Sequence, residues 1–200
     1  MKQGLLIILS GPSGVGKGAV RRALMENKDL DIVYSISMTT RAPRRLEQNG
    51  VDYFFVDEET FQKNVEEGNF LEYVSFVGHS YGTPKQYVDS LRNEGKNVLL
   101  EIEVQGATQV LKKMKELGDK NVVSIFLLPP SWPDLEKRIR KRRTETEDVI
   151  KKRMDKARSE IKEMFNYDYQ VLNDIVPRAA TEIKSIIESE IDKRKDVSAC

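Results

Sequence analysis

Residues 11–18 place a lysine among glycines at a spacing that suits phosphate binding. In the pattern G-x-x-x-x-G-K, glycines let successive backbone N–H groups point at one anion, and the lysine adds a mobile point charge. An apolar run, Leu5–Leu9, precedes the loop and a helix-permissive segment, Ala19–Asn27, follows it. This strand, turn and helix order favours a phosphate-binding loop over a simple glycine-rich turn. The predicted loop residues are Gly11, Pro12, Ser13, Gly14, Val15, Gly16, Lys17 and Gly18.

The position after Lys17 departs from the usual pattern. Loops of this kind normally have a Ser or Thr there to hold Mg²⁺, whereas this chain has Gly18 followed by Ala19, and neither has a hydroxyl. We therefore predict no metal site held by the protein itself. Any Mg²⁺ would be carried by the phosphates of a bound ligand and by water, with Glu101 ordering the water shell.

Two further groups of charged residues could recognise a ligand. Arg41 and Arg44 lie three apart and could form a fork on a phosphate group, or could be two solvated arginines beside a proline turn. Glu72 and Glu103 adjoin apolar runs, where an unpaired carboxylate is costly to bury. They either accept hydrogen bonds from a ligand or face water at strand ends.

A strongly basic segment, 138–143, has five cations in six residues. It could bind nucleic acid or a partner protein, form a solvated helix face, or belong to a lid that closes over phosphate charge. The formal net charge of +1 over 200 residues argues against a protein that coats nucleic acid. The single cysteine, Cys200, allows no disulfide within the chain and fits a reducing, cytoplasmic setting. No apolar run approaches the roughly 20 residues of a membrane span, so no membrane association is expected.

The hydrophobic pattern predicts an α/β protein. Four apolar runs, Leu5–Leu9, 97–102, 122–128 and 169–172, read as buried strands of a parallel sheet. Helical patterns alternate with them at 105–117, 134–142, 148–165 and 176–193; on the first of these we expect Val110, Leu111, Met114 and Leu117 to share one face. Residues 36–85 break the rhythm with short strand-like pieces, a short helix at 58–67 and a turn at 78–80, which indicates a small α+β insert.

These features together resemble the guanylate kinases, and the resemblance covers essentially the whole chain in the right order. It depends on the loop at 11–17, on SISMTTRAPR at 35–44, GVDY at 50–53, FLEY at 70–73 and YGT at 81–83, and on LEIEVQG at 100–106, RRTET at 142–146 and VLND at 171–174. The family implies a P-loop three-layer fold with a central parallel sheet, an inserted GMP-binding subdomain and a helical lid. The expected division is core at 1–35, GMP-binding subdomain at 36–86, core at 87–130, lid at 131–161 and core at 162–200.

The resemblance also implies roles for individual residues. ATP would donate a phosphoryl group to GMP or dGMP, with Mg²⁺ carried on the nucleotide. The expected catalytic residues are Lys17, Arg41, Arg138, Arg142 and Arg153. Asn173 is expected near the donor nucleotide, and the acceptor is expected to contact Ser37, Arg41, Arg44, Tyr53, Glu72, Tyr81, Thr83 and Glu103. Lys141 and Arg143 stand where glycines usually flank the lid arginine, which puts the lid geometry in question.

As a kinase of free nucleotides, the protein could form a homodimer. Two alternatives to a kinase remain. Guanylate-kinase-like modules also occur as protein-binding domains without catalysis, but these usually lose the loop lysine or the lid arginines. A GTP-hydrolysing protein would need a guanine-reading N-K-x-D motif, and Asn173-Asp174 alone does not supply it.

Overall fold

The computed structural model of the protein describes residues 3–27, 30–76, 78–140 and 146–196. These residues fall into two compact units. Unit 1 comprises the described parts of Met1–Leu5, Val33–Val98 and Gln105–Asn121, and unit 2 those of Leu6–Ile32, Leu99–Val104 and Val122–Cys200. The division into core, subdomain and lid segments stays a prediction.

The described residues form nine strands, seven α-helices and one 3₁₀ helix. The strands are β1 Leu6–Ser10, β2 Ile32–Tyr34, β3 Met38–Thr39, β4 Phe54–Phe55, β5 Phe70–Phe76, β6 His79–Pro84, β7 Asn97–Glu101, β8 Val122–Leu128 and β9 Tyr169–Leu172. The helices are α1 Lys17–Met25, α2 Glu58–Glu66, α3 Lys85–Asn93, α4 Val104–Glu116, α5 Trp132–Arg140, α6 Glu147–Glu160 and α7 Val176–Asp196, with the 3₁₀ helix at Ile161–Asn166.

A five-stranded sheet has the order β2-β7-β1-β8-β9. β8 pairs in parallel with both β1 and β9, so the predicted parallel α/β sheet is confirmed. Residues 6–9 of β1 are completely buried, as an apolar run in the middle of a parallel sheet should be. The end of this central strand leads directly into the glycine-rich loop, which places the loop at the carboxyl edge of the sheet.

The second sheet has four strands in the order β4-β3-β6-β5 and lies in unit 1. β5 and β6 form an antiparallel hairpin in which Glu72 is opposite Thr83. The hydrophobic pattern did not predict β2, β3 or β6: the first two have only three and two residues, and β6 contains Gly82 and Pro84, which are uncommon within strands. The turn predicted at 78–80 is shorter than expected, because β6 already begins at His79.

Two helix predictions need correction. Leu117 was expected on the apolar face of α4, but the helix ends at Glu116 and the Leu117 side chain is 64% exposed. Gly118, with φ at 65°, turns the chain away at that point, a common way for a helix to end. The helix expected at 148–165 divides into α6 and the 3₁₀ helix. Among the described residues no helix is long and apolar enough to cross a membrane.

Unit 1 contains a fully buried arginine. Arg92, near the end of α3, is 2% exposed and donates from Nε to the carbonyl of Gly4 at 3.0 Å. Its Nη1 donates to Asp119 at 2.8 Å and its Nη2 to the carbonyl of Asn121 at 3.0 Å. A charge so deeply buried is tolerated because it is paired and hydrogen-bonded. Arg92 therefore joins three segments that are distant in sequence.

Candidate active site

The phosphate-binding loop lies between β1 and α1. Gly14 and Gly16 have φ angles of 87° and 106°, which L side chains rarely adopt, so glycine is required at both positions. Gly16 caps α1, whose first residue is Lys17. The loop thus precedes the positive end of a helix dipole, the local structure that the spacing of the glycines predicts.

Lys17 is held on two sides within unit 2. Its side chain is 9% exposed, its Nζ donates to the carbonyl of Gly11 at 2.7 Å, and Oε1 of Glu103 lies 3.3 Å away. Lys156 of α6 approaches the other oxygen of Glu103 at 3.6 Å. Burial by itself would raise the pKa of Glu103, but the two ammonium groups outweigh it and lower the pKa below its ordinary value. Glu103 is therefore an ionised partner of the loop lysine.

Two side chains of α6 contact Ser13 of the loop. Nη2 of Arg153 donates to Oγ of Ser13 at 2.8 Å, and the backbone N–H of Ser13 donates to Oε2 of Glu160 at 3.2 Å. Glu160 is 6% exposed, and burial, together with the nearby Glu103 carboxylate, raises its pKa above the ordinary value. Sequence reasoning expected Arg153 in this region but did not single out Glu160. The only signal was its i,i+4 spacing from Lys156, which many solvated helix faces share.

The back of the loop is supported by Asn173 and Arg138. Nδ2 of Asn173, a residue only 1% exposed, donates to the carbonyl of Val15 at 2.8 Å. Nη1 of Arg138 donates to the same carbonyl at 2.9 Å, and its Nη2 donates to the carbonyls of Asn173 and Asp174 at 2.9 and 3.2 Å. Both residues lie beside the predicted loop, where their contacts fix the loop backbone. Their expected contacts with a nucleotide stay predictions.

Gly18 lies close to an acidic side chain. A β-carbon at this position would be 3.3 Å from Oε1 of Glu101, tighter than most contacts of real β-carbons. The Glu101 carboxylate also accepts from Nε of Arg21 at 2.7 Å. At the position where related loops have a hydroxyl, this chain therefore has the carboxylate of Glu101 close by.

Arg41 lies among aromatic side chains in unit 1. Its guanidinium is 5.4 Å from the ring centre of Tyr53, and the Tyr53 and Tyr81 rings are 6.2 Å apart, edge to face. Its Nη2 donates to Glu47 at 2.9 Å, while the exposed Arg44 donates its backbone N–H to the same carboxylate at 2.8 Å. Burial by itself would lower the pKa of Arg41, but Glu47 and Tyr81 raise it. Three of the residues predicted to contact the acceptor, Arg41, Tyr53 and Tyr81, are thus brought together, and Glu47 is a partner that the sequence did not suggest.

The second acidic residue, Glu72, is buried in unit 1. It is 4% exposed, and the hydroxyl of Thr83, on the adjacent strand β6, donates to its Oε1 at 2.6 Å. On the α4 side, Gly106 leaves room for the carboxylate, because a β-carbon there would overlap Oε2. The side-chain amide of Gln109 on α4 bonds to the backbone of the neighbouring Tyr73. It accepts a hydrogen bond from the Tyr73 N–H at 3.2 Å and donates one to the Tyr73 carbonyl at 3.0 Å. Two of the residues predicted to contact the acceptor, Glu72 and Thr83, therefore lie side by side.

Three predicted residues remain, and their positions are Ser37 before β3, Arg142 in the undescribed part of the chain and Glu103 after β7. Ser37 is half-buried just before β3, and its carbonyl accepts from the N–H of Phe54 at 2.9 Å. Arg142, with its neighbours Lys141 and Arg143, lies outside the described residues. Glu103, expected beside the acceptor base, contacts Lys17 and Lys156 as described above.

A buried lysine in a glycine-rich loop between a central parallel strand and a helix defines a P-loop protein, a class whose loop binds phosphate groups. The sequence model of guanylate kinase matches residues 3–190. The chain belongs to the guanylate kinase family.

Individual relatives agree with this assignment. A guanylate kinase of Mesoplasma florum is 55% identical over 188 residues, which are 94% of this chain and 62% of that protein. A guanylate kinase of Latilactobacillus sakei is 52% identical over 188 residues, covering 94% of this chain and 90% of that protein. The chain thus spans less than two thirds of the first relative's length and nine tenths of the second's. The crystal structure of guanylate kinase from Anaplasma phagocytophilum has a TM-score of 0.73 at 33% identity and covers 95% of this chain and 87% of that one.

Proposed function

We propose that the protein transfers the γ-phosphoryl group of MgATP to GMP, and to dGMP, giving ADP and GDP or dGDP. Membership of the guanylate kinase family supports this activity. The observation that carries the proposal is the buried Glu72 carboxylate, held by the Thr83 hydroxyl at 2.6 Å. Burying a carboxylate costs free energy that hydrophobic residues would not incur, so its presence there favours a role in binding a ligand.

Glu72 suits guanine rather than adenine. Guanine offers the N1–H and N2–H₂ donors on one edge, whereas adenine has an acceptor at N1 and no 2-amino group. Adenine would leave the carboxylate unpaired, and sites that hydrogen-bond a substrate in this way can discriminate by about 10⁴–10⁵. Thr83 already donates to Oε1 of Glu72, and an ionised carboxylate can accept several hydrogen bonds at once. We infer that Ser37 and Glu103 complete recognition of the base.

The phosphate of the acceptor would be bound by Arg41, Arg44, Tyr53 and Tyr81. Arg41 is already oriented by Glu47 and lies against the Tyr53 ring, and two tyrosine hydroxyls could add hydrogen bonds. A guanidinium matches a phosphate with two parallel hydrogen bonds, and ordering it in advance reduces the entropy lost on binding. This arrangement supports a site for a phosphate monoester.

The donor would lie on the phosphate-binding loop. Lys17 and the loop N–H groups would hold its phosphates, while Arg138, Arg142 and Arg153 would supply further positive charge. The phosphate dianion of the acceptor is already nucleophilic, so the reaction requires no catalytic base. The protein would place the two substrates in line and neutralise the charge of a loose transition state. A closed lid would also exclude water, which could otherwise hydrolyse ATP.

Mg²⁺ would enter as part of MgATP. The closeness of Glu101 Oε1 to Gly18, 3.3 Å from the place of a β-carbon, supports a role for this carboxylate in ordering the water around the ion. An E101A variant should need a higher Mg²⁺ concentration for half-maximal activity. Unchanged dependence on Mg²⁺ would rule that role out.

The setting and assembly of the protein stay predictions. A single cysteine supports a reducing compartment such as the cytoplasm. We infer that the partners are free nucleotides rather than nucleic acid or a membrane, and a homodimer stays a prediction.

The activity is tested by ADP release in a coupled assay with MgATP and each of GMP, AMP and UMP. We expect turnover with GMP and little with the other two. No turnover with GMP, together with retained binding of a peptide partner, would favour the protein-binding alternative. The presence of Lys17, Arg138 and Arg153 argues against that alternative, because such modules usually lose the loop lysine or the lid arginines.

A further inference from the structure

Within unit 2 a chain of charges connects α6 to the lysine of the phosphate-binding loop. Lys156 lies between two carboxylates: its Nζ is 3.6 Å from Oε2 of Glu103 and 3.4 Å from Oε1 of Glu160. Each carboxylate contacts the loop with its other oxygen, Glu103 through Lys17 at 3.3 Å and Glu160 through the backbone N–H of Ser13 at 3.2 Å. The order is therefore Lys17, Glu103, Lys156, Glu160 and Ser13.

The ion pair between Lys17 and Glu103 conflicts with the expected role of Lys17 in binding a donor phosphate. To bind a donor phosphate, its ammonium must weaken or give up the contact with Glu103. A carboxylate that loses its cation in a partly buried place is strongly destabilised, and Glu160, itself 6% exposed, adds a like charge nearby. Without another cation, Glu103 would retain Lys17 and compete with the nucleotide for it.

Lys156 is suited to remove this conflict. Its side chain is 40% exposed, so it can approach the two less exposed carboxylates from the solvent side and keep its own hydration. It touches both of them at once, and the pKa of Glu103 is lowered despite its burial. A second cation on Glu103 weakens the hold of that carboxylate on Lys17.

We propose that Lys156 is a positioning residue of the donor site: it supplies the counter-charge for Glu103 and Glu160 and thereby allows Lys17 to exchange Glu103 for a donor phosphate. This inference rests on the proposed function, because it takes the ligand of the loop to be a nucleoside polyphosphate. Lys156 acts through Glu103 and Lys17 rather than on the nucleotide directly.

The proposal predicts a specific pattern in the binding of ADP, measured by calorimetry without GMP. K156M should weaken ADP binding about tenfold, within the range found for charged neighbours that are coupled. K156R, which keeps a cation between the carboxylates, should restore binding to within about twofold of wild type. K152M, which removes an exposed lysine one turn earlier on α6, is the matched control and should bind like wild type.

The decisive comparison repeats K156M in an E103Q background. Without the Glu103 charge, Lys17 has no carboxylate to leave, so K156M should then change ADP affinity by less than about twofold. An equal loss in both backgrounds would show that Lys156 acts on the nucleotide directly and would overturn the proposal. So would wild-type affinity in the K156M single variant.

Two further measurements keep the test independent of folding and of the proposed activity. Thermal unfolding of each variant shows whether it is folded. If K156M is not folded, the E103Q variant decides the question by itself. E103Q should bind ADP at least as tightly as wild type, and weaker binding would contradict the proposal. GMP-dependent ADP release by the wild-type protein tests the proposed function itself. Wild-type turnover without the predicted binding pattern would therefore reject only the role of Lys156.

Discussion

Gly106 of α4 faces the Glu72 carboxylate of β5 so closely that a β-carbon on Gly106 would overlap Oε2 of Glu72. On its other side the carboxylate accepts from the Thr83 hydroxyl at 2.6 Å. The orientation of Glu72 is thus determined by a missing side chain on one element and by a hydroxyl on another. Since close packing transmits small displacements, the glycine should matter for substrate binding although it bears no functional group.

We predict that G106A impairs the use of GMP. The added methyl group must displace the Glu72 carboxylate, and a shift of about 1 Å at a positioned group can cost up to about 10² in rate. The KM for GMP should rise at least about tenfold while the KM for ATP changes less than about twofold. T108A, at an exposed position of the same helix, is the control. A G106A enzyme with an unchanged KM for GMP would contradict the role assigned to the glycine.

Replacing Glu72 by Gln should reduce discrimination between purines. The amide keeps the shape of the side chain but removes its charge, and a hydrogen bond to a charged group is worth about 1.5–3 kcal/mol. We therefore expect kcat/KM for GMP to fall by roughly 10- to 150-fold. The preference for GMP over IMP, which lacks the 2-amino group, should shrink as well. Steady-state rates with both nucleotides check this, and an undiminished GMP-to-IMP ratio would count against guanine recognition by Glu72.

Removing the buried arginine of unit 1 should strongly destabilise the protein. R92M would leave Asp119 without its guanidinium partner and the carbonyls of Gly4 and Asn121 without a donor. Breaking a buried charge pair in this way costs about 3–5 kcal/mol. Urea unfolding measures the loss, with K112M, whose lysine side chain is 78% exposed, as the control. Equal midpoints for R92M and wild type would contradict this reading of Arg92.

The carboxylate of Glu190 on α7 should make stability depend on pH in the acid range. Burial by itself would raise its pKa, but hydrogen bonds from Lys193, Arg194 and Tyr169 lower it to about 2. A group whose pKa is lower in the folded than in the unfolded protein stabilises the fold above its unfolded pKa of about 4.3 and stops doing so as the pH falls toward the folded value.

The difference in free energy of unfolding between wild type and E190Q should accordingly be constant above about pH 5 and shrink between pH 4.3 and pH 2. Urea unfolding at a series of pH values checks this, with E188Q, on the same helix and 48% exposed, as the control. A difference that stays the same down to pH 2 would show that the pKa of Glu190 is not lowered.

The sequence predicted the parallel sheet and the phosphate-binding loop because their signals are local. Leu5–Leu9 is a continuous apolar run, and the loop glycines are required by backbone angles that other residues rarely adopt. β6 was missed because Gly82 and Pro84 disfavour strands, and its pairing with β5 overrides that local preference.

The contacts of individual side chains were less predictable. Thr83 and Glu72 were each predicted to contact the acceptor, and they lie opposite each other on β6 and β5. The contacts of Glu103 with Lys17 and Lys156, and that of Glu160 with Ser13, join residues that are 53 to 147 positions apart. No short-range spacing encodes such contacts, since they depend on how α6 packs beside the loop.

The most direct test is a crystal structure of the protein with 5′-GMP. Guanine should lie against Glu72, with N1 or N2 about 2.7–3.2 Å from a carboxylate oxygen, and the phosphate of GMP should contact the Arg41 guanidinium. A purine bound elsewhere, or a Glu72 carboxylate that makes no contact with bound GMP, would contradict recognition of guanine by Glu72.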